Sequence, residues 1–219
     1  GRGIGYDLTN RRVMIDTALT AGGGGFPDLR IQLTQAQPGG AITGEARMAP
    51  YAVPGARLAL DPVRFVAEGS RLASVSTRLL LDGPIGEGRV TGLAVPLSGR
   101  IGGNGRFALA PGCVPVGFER LAIAGMILIH GRNRLCPLSG DTLLRITRRG
   151  ILTGGAAIDR PRFAGTLGGS PITLAADRIT VPIDRPGFAA ANLAVRLGAG
   201  ADPTRLDVAT IAGDVTARG

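Results

Sequence analysis

The chain has 219 residues, enough for one large domain or two small ones, and 44% of them are hydrophobic, with a mean hydropathy of +0.23. Aromatic residues make up only 4% and Trp is absent, which excludes an ordinary core built on rings. The net charge of +9 comes from 25 Arg and no Lys; such a surface suits phosphate chemistry, while GC-rich codon usage is the plainer account of the missing Lys.

Taken in chain order, the dominant period is two. "MIDTALT" and "FPDLRIQLT" read as strands, so the glycine run at 22–25 between them is a loop and not a linker. "PGARLALDPVRFVAEGSRLAS" is the one place for a helical turn, and Pro62 rules out a long helix there. In "SVSTRLLLDG", Val75, Thr77, Leu79 and Leu81 fall on one side, against Ser76, Arg78 and Asp82. In "GRVTGLAVPL", Leu93, Val95 and Leu97 alternate with smaller residues. "ERLAIAGMILIHG" is expected to place Leu121, Ile123, Ile127 and Ile129 on one face. Leu144 and Ile146 alternate with Arg145 and Thr147. Ile172 pairs in phase with Leu174, then Leu193, Val195 and Leu197 align, and Leu206 and Val208 oppose Asp207 and Ala209.

Turn signals separate these runs: Asp82-Gly83-Pro84, Gly102-Gly103-Asn104-Gly105, His130-Gly131, Arg149-Gly150, Gly168-Gly169-Ser170-Pro171 and residues 198–203. Their spacing is that of an antiparallel meander. Units of glycine, alternating apolar residues and glycine recur loosely in "GRVTGLAV", "GTLGGSPITLAA" and "AGDVTARG", which favours a quasi-one-dimensional sheet over a closed sandwich. With 36 Gly and 15 Pro, long helices are not expected, and no capping box leads into a helical period. The expectation is an all-β, single unit over 1–219 with no internal boundary. It reads as an excised or processed segment.

Several functions are disfavoured. The longest stretches without charge, residues 31–44 and 163–176, have 14 residues, short of the roughly 20 that a spanning helix needs. The arginines are scattered singly apart from Arg11-Arg12 and Arg148-Arg149, with no basic-aromatic stripe, so nucleic acid is not an expected partner. Glycine-rich "AGGGGF" and "GGNG" lack the Lys of a phosphate loop. The four Glu and twelve Asp sit mostly at turn edges, so turn chemistry explains them better than paired catalytic carboxylates. No cofactor and no enzymatic reaction is expected.

The rare residues gather in "GCVPVGFERLAIAGMILIHGRNRLCPLSG", which holds Cys113, Cys136 and His130. A metal site with Asp141 has too few ligands at the wrong spacing, and neither cysteine has an activating neighbour. The pair reads as a disulfide bracketing a hairpin: residues 118–129 as one strand, a turn at His130-Gly131, and 133–135 returning. That would favour an oxidising compartment, and the alternative is two unrelated buried thiols.

At this point the chain resembles a known family. "CVPVGFERLAIAGMILIHGRNRLCPLSGDTLLRI" followed by "GGAAIDRPRFAGTLGGSPITLAADRITV" is similar to the C-terminal half of YdbH-family proteins, in the AsmA-like group of bacterial envelope proteins. The resemblance runs from about Arg89 to Gly213 and rests on the cysteine pair and the "GTLGGSPITLAA" cadence. It implies an elongated, strongly curved antiparallel sheet, folded into a taco-like groove that is apolar inside. It further implies a periplasmic location, a parent chain anchored in the inner membrane, and phospholipid acyl chains carried between the two membranes. The expected groove lining is Leu121, Ile123, Ile127, Ile129, Leu144, Ile146, Ile172, Leu174, Leu193, Val195 and Leu197. An outer-membrane lipoprotein or other envelope protein, met through sheet-edge pairing, is the expected protein partner. The alternative function is a non-catalytic assembly module that works by such strand pairing.

Overall fold

A computed structural model of the chain describes residues 3–7, 12–23, 26–35, 37, 40–68, 72–85, 87–102, 107–140, 142–146, 151–184, 187–200 and 202–214. They form a single antiparallel sheet and, among the described residues, no helix. The first strands are β1 (Gly3–Asp7), β2 (Arg12–Gly23), β3 (Phe26–Gln35), β4 (Ile42–Met48), β5 (Tyr51–Val53) and β6 (Ala56–Leu60). Next come β7 (Val63–Glu68), β8 (Leu72–Ile85), β9 (Gly88–Gly102), β10 (Phe107–Pro111), β11 (Val114–Ile123) and β12 (Met126–Pro137). The remainder are β13 (Thr142–Ile146), β14 (Leu152–Asp159), β15 (Arg162–Leu167), β16 (Ser170–Ala175), β17 (Arg178–Pro182), β18 (Gly187–Leu197) and β19 (Thr204–Asp214).

Many of these are halves of longer strands. β4 and β5 keep one register against β7 and β6 (Ala46↔Val63, Tyr51↔Leu58) across Ala49-Pro50. β6 and β7 are divided at Asp61-Pro62, where pairing to β8 slips by one residue. β14 and β15 keep one register against β17 and β16 (Asp159↔Arg178, Arg162↔Ala175) across Arg160-Pro161. β10 with β11, β12 with β13, and β16 with β17 are divided in the same way. Six interruptions thus reduce nineteen segments to thirteen passes of one up-and-down meander. Proline at three of the breaks is the physical cause, because it has no N–H to give the ladder.

The helical turn expected near Pro62 is instead this strand break. Asp82-Gly83-Pro84, read as a turn, lies inside β8 and pairs with β9 through a bulge. The Gly168-Gly169 turn forms as expected, with φ of 57° and 87°, joining Leu167 to Ser170 in a two-residue hairpin. Gly103 to Gly105, Arg149-Gly150 and residues 24–25 lie outside the described residues, and so does Thr147.

The expected hairpin needs correcting. β11 ends at Ile123 and β12 begins at Met126, with Ala124-Gly125 (φ 49° and 76°) as the turn. Both central residues have positive φ, as the tight hairpin turn requires. His130-Gly131 therefore lies within a strand. His130-Gly131 is the turn expected from the sequence, and the Ala124-Gly125 dipeptide forms it instead.

Packing is thin, as the composition implied. A small buried cluster joins Ala110, Val114 and Leu143, with Val95, Leu109, Leu135 and Ala156 packed against it. Beside it Cys113 and Cys136 form a disulfide with Cα atoms 4.0 Å apart. Their positions continue the register of the neighbouring Val114↔Leu135 pair, so the bond staples directly opposite residues of the β11–β12 hairpin.

Candidate functional site

Residues directly opposite one another in an antiparallel pair share a face, so register assigns side chains to sides of the sheet. One row runs Val90–Leu121–Leu128–Gly165–Ile172–Leu197, crossing six passes without a charged residue. Val90 and Ile172 are 2% exposed and Leu128 is 4% exposed. The next row on this side is Phe163–Leu174–Val195–Leu206. A third, toward the other end of the strands, is Val114–Leu135–Ile158–Ile179–Ala190–Ile211.

These rows can lie on one face only if the alternation changes phase within each strand. In β18 the apolar positions are Ala190 and then Leu193, Val195 and Leu197, with Asn192 between them at φ 50°. In β12 the change falls at His130 (φ 48°), and between β14 and β15 at Arg160 (φ 49°). In β9 it falls at Gly92 (φ 66°), where an extra residue makes the bulge against β8. A left-handed residue turns the strand so that one neighbour repeats its side. Phe118 and Phe163, from opposite sides of this line, stack at 6.2 Å, which places both phases on the same face.

The line is a crease held by its own hydrogen bonds. The Arg160 amide donates to the Asp177 carbonyl (2.7 Å), and the Asp177 amide to the Ala191 carbonyl (3.0 Å). Asn192 Nδ2 donates to Asp177 Oδ2 at 2.7 Å. At the start of the crease the Gly92 amide donates to Asp82 Oδ1 at 2.6 Å.

The scarce aromatic rings serve this thin layer. Phe65 is opposite Gly44, Phe118 opposite Gly131, and Phe188 opposite Gly213. In each pair the ring occupies the space a glycine Cβ would need. A ring laid over the neighbouring backbone fills a glycine gap without demanding a second layer. Among the described residues no such layer exists, and toward the sheet margin Leu206 (56% exposed), Ile211, Phe188 and Ile123 are open to solvent.

The expected lining divides accordingly. Leu121, Ile123, Ile172, Leu174, Leu193, Val195 and Leu197 lie on the apolar face, and Leu128 and Met126 join them through Leu121 and Ile123. Ile127 and Ile129 do not: the two-residue turn pairs them with Ala122 and Arg120, on the opposite face. Ile129 is 47% exposed there. Leu144 and Ile146 are half-buried and in register with Leu109 and Phe107, while the packed cluster beside the disulfide uses Leu143. Leu128, Val90 and the phenylalanine–glycine pairs were not expected; moving the turn to Ala124-Gly125 finds the first, and cross-strand register finds the rest.

The opposite face is polar. Gln32, Glu45, Arg64, Ser76 and Ser98 form one row, and Arg120, Ile129, Ala164, Thr173, Arg196 and Arg205 form another. Glu45 accepts from Arg47 Nε at 2.7 Å and lies 3.5 Å from Arg64 Nε. The Arg47 hydrogen bond, with Arg64 adding to it, holds the Glu45 carboxyl below its ordinary range. Beside the crease a depression of about 790 Å³ opens near Thr173, between Arg162 and Arg196. Among the described residues no three His, Cys, Asp or Glu side chains gather as metal ligands. No helix among the described residues is long and apolar enough to cross a membrane.

No family model matches the chain, and no curated protein or solved structure shows significant similarity to it.

Proposed function

We propose that the chain is a segment of a periplasm-spanning lipid-transfer bridge, carrying phospholipid acyl chains along the apolar face of its sheet. The observation that carries this reading is the uncharged row from Val90 to Leu197 on a sheet with no second layer among the described residues. An antiparallel sheet normally keeps one face packed. Acyl chains extend that packing over the half-buried Leu121, Leu174, Val195 and Leu197, at about 0.8 kcal/mol per buried CH2. Leu, Ile and Val give a wall without directional demands, so a chain can slide along it. The polar face keeps the arginines in water, and the family resemblance of the cysteine hairpin and the "GTLGGSPITLAA" strands supports the same class and compartment.

The test is native mass spectrometry of the purified chain, followed by extraction of a fluorescent phospholipid from vesicles. Co-purifying phospholipid, with extraction lost in Leu174→Arg and kept in Ile127→Asp, is the expected result. Normal extraction by a folded Leu174→Arg protein would sink the proposal.

A second reading, strand pairing with an envelope partner, is favoured by β19. Among the described residues it pairs with β18 alone, which leaves its other edge of 11 residues open beside the exposed Leu206. A lipid-free protein that captures extended peptides would select this reading.

A further inference from the structure

A depression on the polar face is lined by cationic, hydroxyl and apolar side chains. Arg162, Thr173 and Arg196 rim it, His130 closes one end, and Ile129 and Ala164 contribute to its apolar floor. Arg196 is directly opposite Thr173. Arg162 is opposite Ala175, two residues along the same side of β16, and so lies on the diagonal from Thr173. Diagonal neighbours are about 7–8 Å apart, within reach of a long side chain, so both arginine side chains can reach the space around the threonine hydroxyl.

The arginines here, like most of those described on this sheet, have no carboxylate partner among the described residues. Arg47, Arg64, Arg78 and Arg178 each lie within 4 Å of a carboxylate, at 2.7, 3.5, 3.8 and 3.4 Å. Among the described residues, Arg162 and Arg196 have no such partner, and neither has Arg205, which is directly opposite Arg196. Asp207, on the diagonal from Arg196, forms no ion pair with it. Like charges directly opposite one another destabilise a sheet. Here the cost is left standing around a concave, partly apolar surface.

We propose that this depression binds a phosphomonoester: a phosphate held between Arg162 and Arg196, with its organic body on the floor formed by Ile129 and Ala164. Guanidinium forks donate two parallel hydrogen bonds to phosphate oxygens, and the Thr173 hydroxyl donates a further one. Two cations match a phosphate dianion better than a single carboxylate. The site uses the face opposite the acyl-chain surface, so it stands or falls independently of that proposal. The phosphate has two sources, a soluble metabolite or a lipid headgroup, and the recognition chemistry is the same for both.

The experiment is a titration of the purified chain with glycerol 3-phosphate and, separately, with glycerol, read by the NMR signals of the arginine Nε–H groups. A parallel arm measures co-sedimentation with phosphatidylcholine vesicles, with and without phosphatidic acid. Saturable shifts at Arg162 and Arg196 with glycerol 3-phosphate and none with glycerol identify a soluble ligand. Binding confined to phosphatidic acid vesicles identifies a lipid headgroup. In either case Arg162→Gln and Arg196→Gln should each weaken binding about tenfold or more, since each removes charge-assisted hydrogen bonds. Thr173→Val should weaken it several-fold. All three positions are exposed, so the variants are expected to fold. No binding in either arm overturns the inference. Binding unchanged in a folded R162Q/R196Q protein overturns it as well.

Discussion

The strands before β9 and those after it solve the same problem by different means. In β3, β4, β7 and β8 as far as Leu81 the alternation is unbroken: Leu33, Gly44, Phe65, Val75 and Gly99 form one row, and Gln32, Glu45, Arg64, Ser76 and Ser98 the other. The phase changes at the proline breaks Ala49-Pro50 and Asp61-Pro62, between strands. From β9 onward, left-handed residues at Gly92, His130, Arg160 and Asn192 shift the alternation by one. Because the shifts line up from strand to strand, pairing is preserved while the side chains change phase. The lesson is that a period-two pattern belongs to a stretch of strand, and one left-handed residue can reset it. A sheet can therefore keep one apolar face across a line where every strand's pattern breaks.

The largest test of this comparison contrasts neighbours in β12. Leu128→Asp, or Ile172→Asp in the same row, places a carboxylate where the side chain is almost fully buried. A loss of about 3–5 kcal/mol is expected, seen as failure to fold or a large fall in urea midpoint. Ile127→Asp, one residue away on the polar face and half-buried, should cost only about 1 kcal/mol. Equal effects at 127 and 128 would mean that the register assignment is wrong.

Removing the staple comes next. The Cys113–Cys136 bond spans a sequence separation of 23, and a loop of that size is worth about 3 kcal/mol in the chain-entropy account. The double variant Cys113→Ala/Cys136→Ala should lose about that much in chemical denaturation, and reductant should do the same to the wild type. The crease gives a smaller effect. Asn192→Val forces a β-branched residue into a left-handed conformation at a cost of about 1–2 kcal/mol. Asn192→Gly should stay within about 0.5 kcal/mol. Gln32→Val, in the unshifted region, should be near neutral by the same thermal melt.

The smallest effect is electrostatic. The Glu45 carboxyl has a lowered pKa when folded, so its contribution is fully present above the unfolded-state value and is lost as pH falls through the folded one. Denaturation profiles of Glu45→Gln and wild type should therefore converge below that range and separate slightly above it. No separation at low salt would remove Glu45 from the account.

Much of this fold was legible in the sequence, because composition and alternation are direct consequences of a one-sided sheet. Val75, Thr77, Leu79 and Leu81 are half-buried, with Ser76 and Arg78 exposed between them, as their spacing implies. The disulfide was legible as a bracket. The faces of Ile127 and Ile129 were not, because they depend on which of two dipeptides makes the turn, and a shift of the turn reassigns every later residue in β12. The crease was not legible either. Asn192 is a familiar left-handed residue, and His130 before Gly131 carries a turn signal, but nothing local marks Arg160 as left-handed or places either shift inside a pass of the sheet. Their conformations are set by neighbouring strands, through bonds such as Arg160 to Asp177.

The central claim is that acyl chains occupy the face carrying Leu121 and not the face carrying its neighbour Ala122. A photo-crosslinking residue placed at 121 or at 122 in the purified chain, mixed with vesicles of radiolabelled phospholipid, tests it directly. Label attached at 121 and absent at 122 is the expected result. Label at both positions, or at 122 alone, would contradict the account.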